Sequence, residues 1–259
     1  MAIFLTHQIP KACFAIAFLL SSPPSVLAEK LSAIQSRGEL KIAVKDNVRP
    51  LGFRDTNGNL AGLEIDIARK LAAEILGDES AIEFLPVNNQ ARLQVVLEDQ
   101  VDMAIARVGV TNSRSRIVDF SRYYYLDGTG IVTKNAALKD LNSLVNSTIV
   151  VLNNSATIAV IRHKLPRATL IGVDSYNQAF QLIENQQAEA FAGDRSILTG
   201  WTQEFPRYKL LPERLSGSAL AIALPKGLQY QELRFKIDQA ISNWQQSGWL
   251  AERIKFWQL

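Results

Sequence analysis

From Leu40 onward, short apolar runs of strand length alternate with longer segments of helical period. This alternation restricts the chain to an α/β fold whose sheets are mostly parallel and flanked by helices. Strands are expected at 40–44, 81–87 and 102–108, and again at 148–152, 168–173 and 188–193. The intervening helices are expected at 30–36, 62–75, 91–98, 156–165 and 176–184. Two α/β units result, and ligands of such sheets collect at the carboxyl ends of the strands. Asp127-Gly128-Thr129-Gly130-Ile131-Val132-Thr133 separates the two runs, and Ala219–Leu224 is a second extended apolar segment. The two are read as paired crossovers.

The helix at Gly62 carries the clearest pattern. Leu63, Ile67, Leu71 and Ile75 recur every four residues beside Ala68 and Ala72, which makes one buried stripe. Glu64 and Asp66 fall in the first turn, where the macrodipole favours negative charge, and Gly77 suits a left-handed cap. On this reading the two acids serve the helix start and do not belong to a binding site. Asp55-Thr56-Asn57-Gly58 just upstream reads as a tight turn.

The first residues carry the layout of a secretory signal. Lys11 precedes the apolar run Ala12–Leu20, and Val26-Leu27-Ala28 offers a small-residue cleavage site, so residues 1–28 are expected to be removed. Nine apolar residues fall well short of the roughly twenty that span a bilayer. The lone cysteine, Cys13, lies in that run, so no disulfide or thiol chemistry is expected. Net charge is +3, an even balance of 28 basic and 25 acidic residues that argues against a nucleic-acid partner. Losing His7 with the signal leaves only His163, which removes the usual zinc, Cys-His and Ser-His arrangements. No phosphate-loop or dinucleotide glycine pattern is present. The chain is therefore expected to be no enzyme and to need no metal or cofactor.

Arg114 is the most informative single residue. Thr111-Asn112-Ser113-Arg114 reads as a helix start capped by Thr111, with a cation where the dipole disfavours one. Either an anion is bound there or Arg114 pairs with Asp119 on the surface. Asn153-Asn154-Ser155 closes a strand and opens a helix, which makes it an ordinary cap or an anion site. Asp194 just past a strand either caps the helix 195–201 or faces a ligand. Lys45, Arg92 and Arg107 stand at strand ends or a helix start on one edge, as solvated charges or as cations of a shared cleft.

Two stretches carry a family resemblance: Gly62-Leu63-Glu64-Ile65-Asp66-Ile67-Ala68, and Thr111-Asn112-Ser113-Arg114 followed by Val118-Asp119-Phe120-Ser121. Together they resemble the solute-binding proteins of family 3, which bring polar amino acids to ABC transporters from the periplasm. The resemblance implies a two-lobed type 2 periplasmic-binding fold. The lobes would comprise residues 29–127 with a returning segment 222–259, and residues 128–221. It implies that Arg114 holds the ligand α-carboxylate with help from the Asn154-Ser155 turn, and that Asp194 holds the α-ammonium. Lys45 and Arg92 fall where glutamate- and aspartate-binding relatives place cations, so an acidic amino acid is expected, with Arg107 as a further cation. Several positions depart from the pattern. Gly109 stands for a Thr or Ser hydroxyl, Val48 for an aromatic platform, Asn154 for a glycine, Tyr123 for a proline, and Arg107 for a small residue. The partners implied are a free amino acid and an inner-membrane permease, with the protein acting as a monomer by hinge closure. The alternatives are a cyclohexadienyl dehydratase-like enzyme and a ligand sensor docking on a receptor.

Overall fold

The computed structural model describes residues 30–153 and 155–259. The expected signal segment and Asn154 lie outside the described residues. The first lobe opens with α1 (Lys30–Arg37) and β1 (Leu40–Val44). Three short strands follow, β2 (Asn47–Val48), β3 (Gly52–Arg54) and β4 (Leu60–Ala61), and then α2 (Leu63–Leu76), β5 (Ile82–Pro86), α3 (Ala91–Leu97), β6 (Met103–Ile105) and β7 (Asp119–Asp127). The second lobe contains β8 (Thr129–Thr133), β9 (Thr148–Leu152), α4 (Thr157–Lys164), β10 (Thr169–Val173), α5 (Tyr176–Glu184), β11 (Ala190–Asp194), α6 (Arg195–Glu204) and β12 (Lys209–Leu210). The chain then returns through β13 (Ser218–Leu224), α7 (Gln231–Ser247) and α8 (Trp249–Phe256).

Each lobe has a five-stranded mixed sheet, ordered β5-β1-β6-β13-β7 in the first and β10-β9-β11-β8-β12 in the second. β1 runs parallel to β5 and β6, and β9 runs parallel to β10 and β11. The near-continuous apolar character of β1 and β9 follows from this, because helices cover both faces of a parallel sheet. Ile237, Ile241 and Trp244 of α7 share one buried cluster with Ile65, Ile67 and Leu71 of α2. The C-terminal helices therefore pack on the first lobe.

Gly62 shows why the second lobe's partner folds as it does. Its φ is +124°, and a Cβ there would lie 2.2 Å from Leu51 O and 2.8 Å from Pro50 O. The close approach lets Leu63 N donate to Pro50 O at 3.0 Å and Glu64 N to Leu51 O at 2.8 Å. The loop backbone thus satisfies first-turn amides that a side-chain cap would otherwise take. Gly77 adopts the left-handed cap expected of it, at φ +80°.

The segment Ala219–Leu224 is not a crossover. It belongs to β13, which pairs antiparallel with β6 and β7 deep in the first sheet, and residues Leu220–Leu224 are buried. An apolar run of this kind is more stable inside a sheet than spanning an exposed gap. The return crossing lies before it, in residues 211–217. There Leu215 N donates to Thr129 O at 2.8 Å and Thr129 N to Ser216 Oγ at 2.9 Å, so the two crossings lie side by side. Gly128 permits that contact, because a Cβ would stand 2.0 Å from Ser216 O.

The lobes are closed on each other away from these crossings. Gly200 of α6 packs so tightly that a Cβ would meet Arg49 O at 2.2 Å, and Gln203 Nε2 donates to Trp257 O at 3.0 Å.

Candidate functional site

The interlobe cleft is built on strand ends and the turns that follow them. Lys45 follows β1, Arg107 and Gly109 follow β6, Ser155 follows β9, and Asp194 ends β11. The cleft has two adjoining chambers. One, of about 570 Å³, is lined by Arg92, Arg107, Gly109, Arg114, Ser155 and Asp194 among others. The second, of about 590 Å³, is lined by Lys45 and Val48 with the aromatic wall Phe180, Trp201 and Phe205. Asn89, Arg107 and Tyr176 line both, where the chambers adjoin. The structure thus brings six of the sequence-derived candidates into one chamber and places Lys45 and Val48 next door.

Arg114 sits in a single 3-10 turn, Arg114–Arg116, in place of the longer helix expected. Thr111 Oγ1 still accepts from Arg114 N at 3.2 Å. With only one turn the macrodipole is slight, so the argument from a disfavoured cation loses its force. The surface pair with Asp119 is not formed, since Asp119 faces Arg234 at 3.8 Å. Arg114 Nη1 donates to Gly109 O at 2.8 Å, and among the described residues Arg114 makes no ion pair.

Arg92 is buried, and its Nη1 donates to Ala106 O at 3.0 Å and to Arg107 O at 2.5 Å. Burial, and then the neighbouring Arg107 and Arg114, push its pKa down to about 10. Lys45 is 3% exposed and donates from Nζ to Val87 O at 2.6 Å. Burial, followed by repulsion from Arg92, lowers its pKa. Val48 packs on the first-lobe core, with no aromatic face to offer a ligand.

Asp194 stands at the N-cap of α6 with φ −65° and ψ 129°, yet its side chain makes no capping bond. Its carboxylate instead accepts from Arg107 Nη1 across the cleft, joining the two lobes. Arg107 itself has φ +51°, a left-handed conformation that costs a non-glycine residue about 1–2 kcal/mol. Its Nε is buried without a partner, as is Ser155 Oγ. Gly109 has room for little more than its backbone, since a Cβ would lie 3.1 Å from Ser218 Oγ.

Three groups were not legible as site residues. Tyr176, at the start of α5, and Asp127, at the end of β7, line the arginine chamber. Asp127 is buried and accepts from Gly128 N at 2.8 Å, Ser196 N at 3.1 Å and Ser196 Oγ at 2.5 Å. Glu64 corrects the reading of α2, because it does more than charge a helix start. It is fully buried beneath the cleft, accepting from Arg107 N at 2.7 Å and Tyr124 Oη at 2.6 Å. The periodicity already held the signal, for Glu64 lies one turn ahead of buried Ala68 on the apolar stripe.

Burial pushes the Glu64 carboxyl up to about 7, against the opposing hydrogen bonds from Tyr124 and Arg107. An acid with a raised folded value holds its proton more tightly in the folded chain. Stability therefore falls as pH rises from about 4.5 to about 7, by something on the order of 3 kcal/mol, and levels off above. Glu64→Gln, which keeps an acceptor for both donors, is expected to flatten that slope. Urea denaturation at pH 5 and pH 8 should show the variant gaining on the natural chain at pH 8. An unchanged slope would exclude Glu64 as its source.

Comparison with known proteins places this geometry. A family model, bacterial extracellular solute-binding proteins, family 3, matches residues 40–259. An ABC transporter glutamine-binding protein of Bacillus subtilis is 28% identical over 232 residues, covering 88% of this chain and 84% of the relative. A glutamine-binding protein of Geobacillus stearothermophilus is 29% identical over 211 residues, covering 80% of each. Among solved structures, an ancestral cationic amino acid solute-binding protein superposes with a TM-score of 0.76 at 23% identity, covering 88% of this chain and 99% of its own. That likeness confirms the two-lobed α/β architecture.

Proposed function

On the premise that this chain belongs to the bacterial extracellular solute-binding proteins of family 3, we propose that it captures a small anionic solute and delivers it to an ABC transporter. Among amino acids, glutamate and aspartate are the ones this cleft favours. The observation that carries the reading is the chamber's charge. Arg92, Arg107 and Arg114 line it, while Asp194 is already paired and Asp127 is held by Ser196 and Gly128. Arg114, without an ion pair, offers a two-pronged grip to a carboxylate.

Residues of both lobes face the chamber, so a ligand makes its full set of contacts only when the lobes are closed. Binding then selects the closed state, with the side-by-side crossings at Thr129 and Leu215 as the hinge. A permease that distinguishes closed from open lobes receives only loaded protein. This role belongs outside the cytoplasm, in keeping with a family of extracellular solute-binding proteins.

Calorimetry on refolded, ligand-free protein with a panel of amino acids checks this reading. Glutamate or aspartate should bind at least tenfold more tightly than glutamine, arginine or leucine. Tighter binding of a neutral or cationic amino acid overturns the anionic assignment, and turnover of prephenate or arogenate would replace transport by dehydration.

A further inference from the structure

The two carboxylates that line the arginine chamber already hold donors. Asp194 is held by Arg107 Nη1, and Asp127 by Ser196 and the Gly128 amide. The carbonyls of Ala106 and Arg107 accept from Arg92, and that of Gly109 accepts from Arg114. Glu64 Oε2 has no partner, but Glu64 lines neither chamber. The charged groups left over are donors, and the Ser155 hydroxyl can donate or accept. Among the described residues, Arg107 Nε is buried without an acceptor, Ser155 Oγ is buried and unpartnered, and Arg114 has no carboxylate.

An ammonium has three N–H donors and no acceptor, so its burial here finds no carboxylate that is not already held by another donor. It would also have to share Asp194 with a guanidinium, with two further arginines on the same wall. A carboxylate meets the opposite situation, since the partly exposed Arg114 guanidinium on the chamber wall gains an acceptor. The backbone adds an independent sign. Arg107 holds a left-handed conformation, φ +51°, that glycine adopts freely, so the position keeps an arginine at a conformational cost.

We infer that the Arg107 guanidinium fills the place of a ligand ammonium against Asp194, and that the cleft takes a small dicarboxylate lacking a primary amine. This rests on the cleft being the solute site and on its preference for anions. It makes Arg107 the residue that sets specificity, by exchanging a zwitterionic ligand for a purely anionic one. Glutamate and aspartate remain the best amino acids, but their amine-free counterparts bind more tightly still.

Calorimetry of the full-length protein at pH 7 with two matched pairs, glutamate against glutarate and aspartate against succinate, decides the point. The amine-free member of each pair should bind at least tenfold more tightly. Arg107→Gly releases Asp194 and suits the left-handed backbone, so it should reverse the order within each pair, with a melting curve confirming the fold. Arg107→Gln, which keeps most of the side-chain bulk, should shift it in the same direction. Tighter binding of the amino acids by the natural chain overturns the inference while leaving the anionic reading intact. Failure of all four acids to bind overturns both.

Discussion

Arg114→Ala is expected to remove ligand binding while leaving the protein folded. The side chain's recorded bond is a single donation to Gly109 O, and no ion pair is lost with it. Folding stability should therefore change little, by about 1 kcal/mol at most. Binding should respond very differently. Arg114 is the arginine of the chamber engaged by neither Asp194 nor a pair of carbonyls, and truncating one partner of a buried charge pair costs about 2–5 kcal/mol. The affinity for whichever acid binds best should fall at least about thirtyfold. Calorimetry paired with a thermal melt reads both quantities, and micromolar affinity retained in a folded variant would remove Arg114 from the carboxylate grip.

Gly62→Ala is the second large effect, and it strikes stability. The new Cβ would lie 2.2 Å from Leu51 O, and the +124° φ is unfavourable for any side chain. A non-glycine residue in such a region costs about 1–3 kcal/mol before the clash is counted. The loop at Pro50 and Leu51 must also move, which releases the carbonyls that hold the first amides of α2. A loss of about 3 kcal/mol or more is expected, read as a lower urea midpoint at unchanged slope. Gly77→Ala is the control. Its φ is +80°, but nothing lies within 4 Å of the new Cβ, so it should cost only about 1 kcal/mol. Equal losses at the two positions would show that backbone conformation alone, and not the approach of the loop, determines the effect at Gly62.

The two substitutions separate the roles of the two stretches that carry the family resemblance. Gly62 belongs to the scaffold, where it lets a loop and a helix start share their hydrogen bonds. Arg114 lines the chamber, where the proposed role is to hold the ligand. Glu64 lies between these roles, buried in the scaffold yet bonded to the backbone of Arg107 on the cleft wall.

Much was legible from sequence because it is local. The period of apolar residues sets whether a segment is strand or helix and which face it buries, and this located β1, α2, β9 and α5 and ordered the two lobes. Gly77 marked the end of α2 because glycine adopts the left-handed conformation cheaply. Arg114 was legible because it sits in a short motif with Thr111.

Other features required the folded molecule. An apolar run such as Leu220–Leu224 reads the same whether it crosses between lobes or lies inside a sheet, and only pairing with β6 and β7 decided that it lies inside. Lys45 and Arg92 stand at neighbouring edges in sequence terms, yet they line different chambers. Above all, Arg107 and Asp194 are 87 residues apart, on different lobes, and meet only because the crossings let the lobes close. Local periodicity determined the elements and their buried faces. Which charges oppose one another across the cleft depends on the relative placement of two separately folded sheets, and no local pattern encodes that distance.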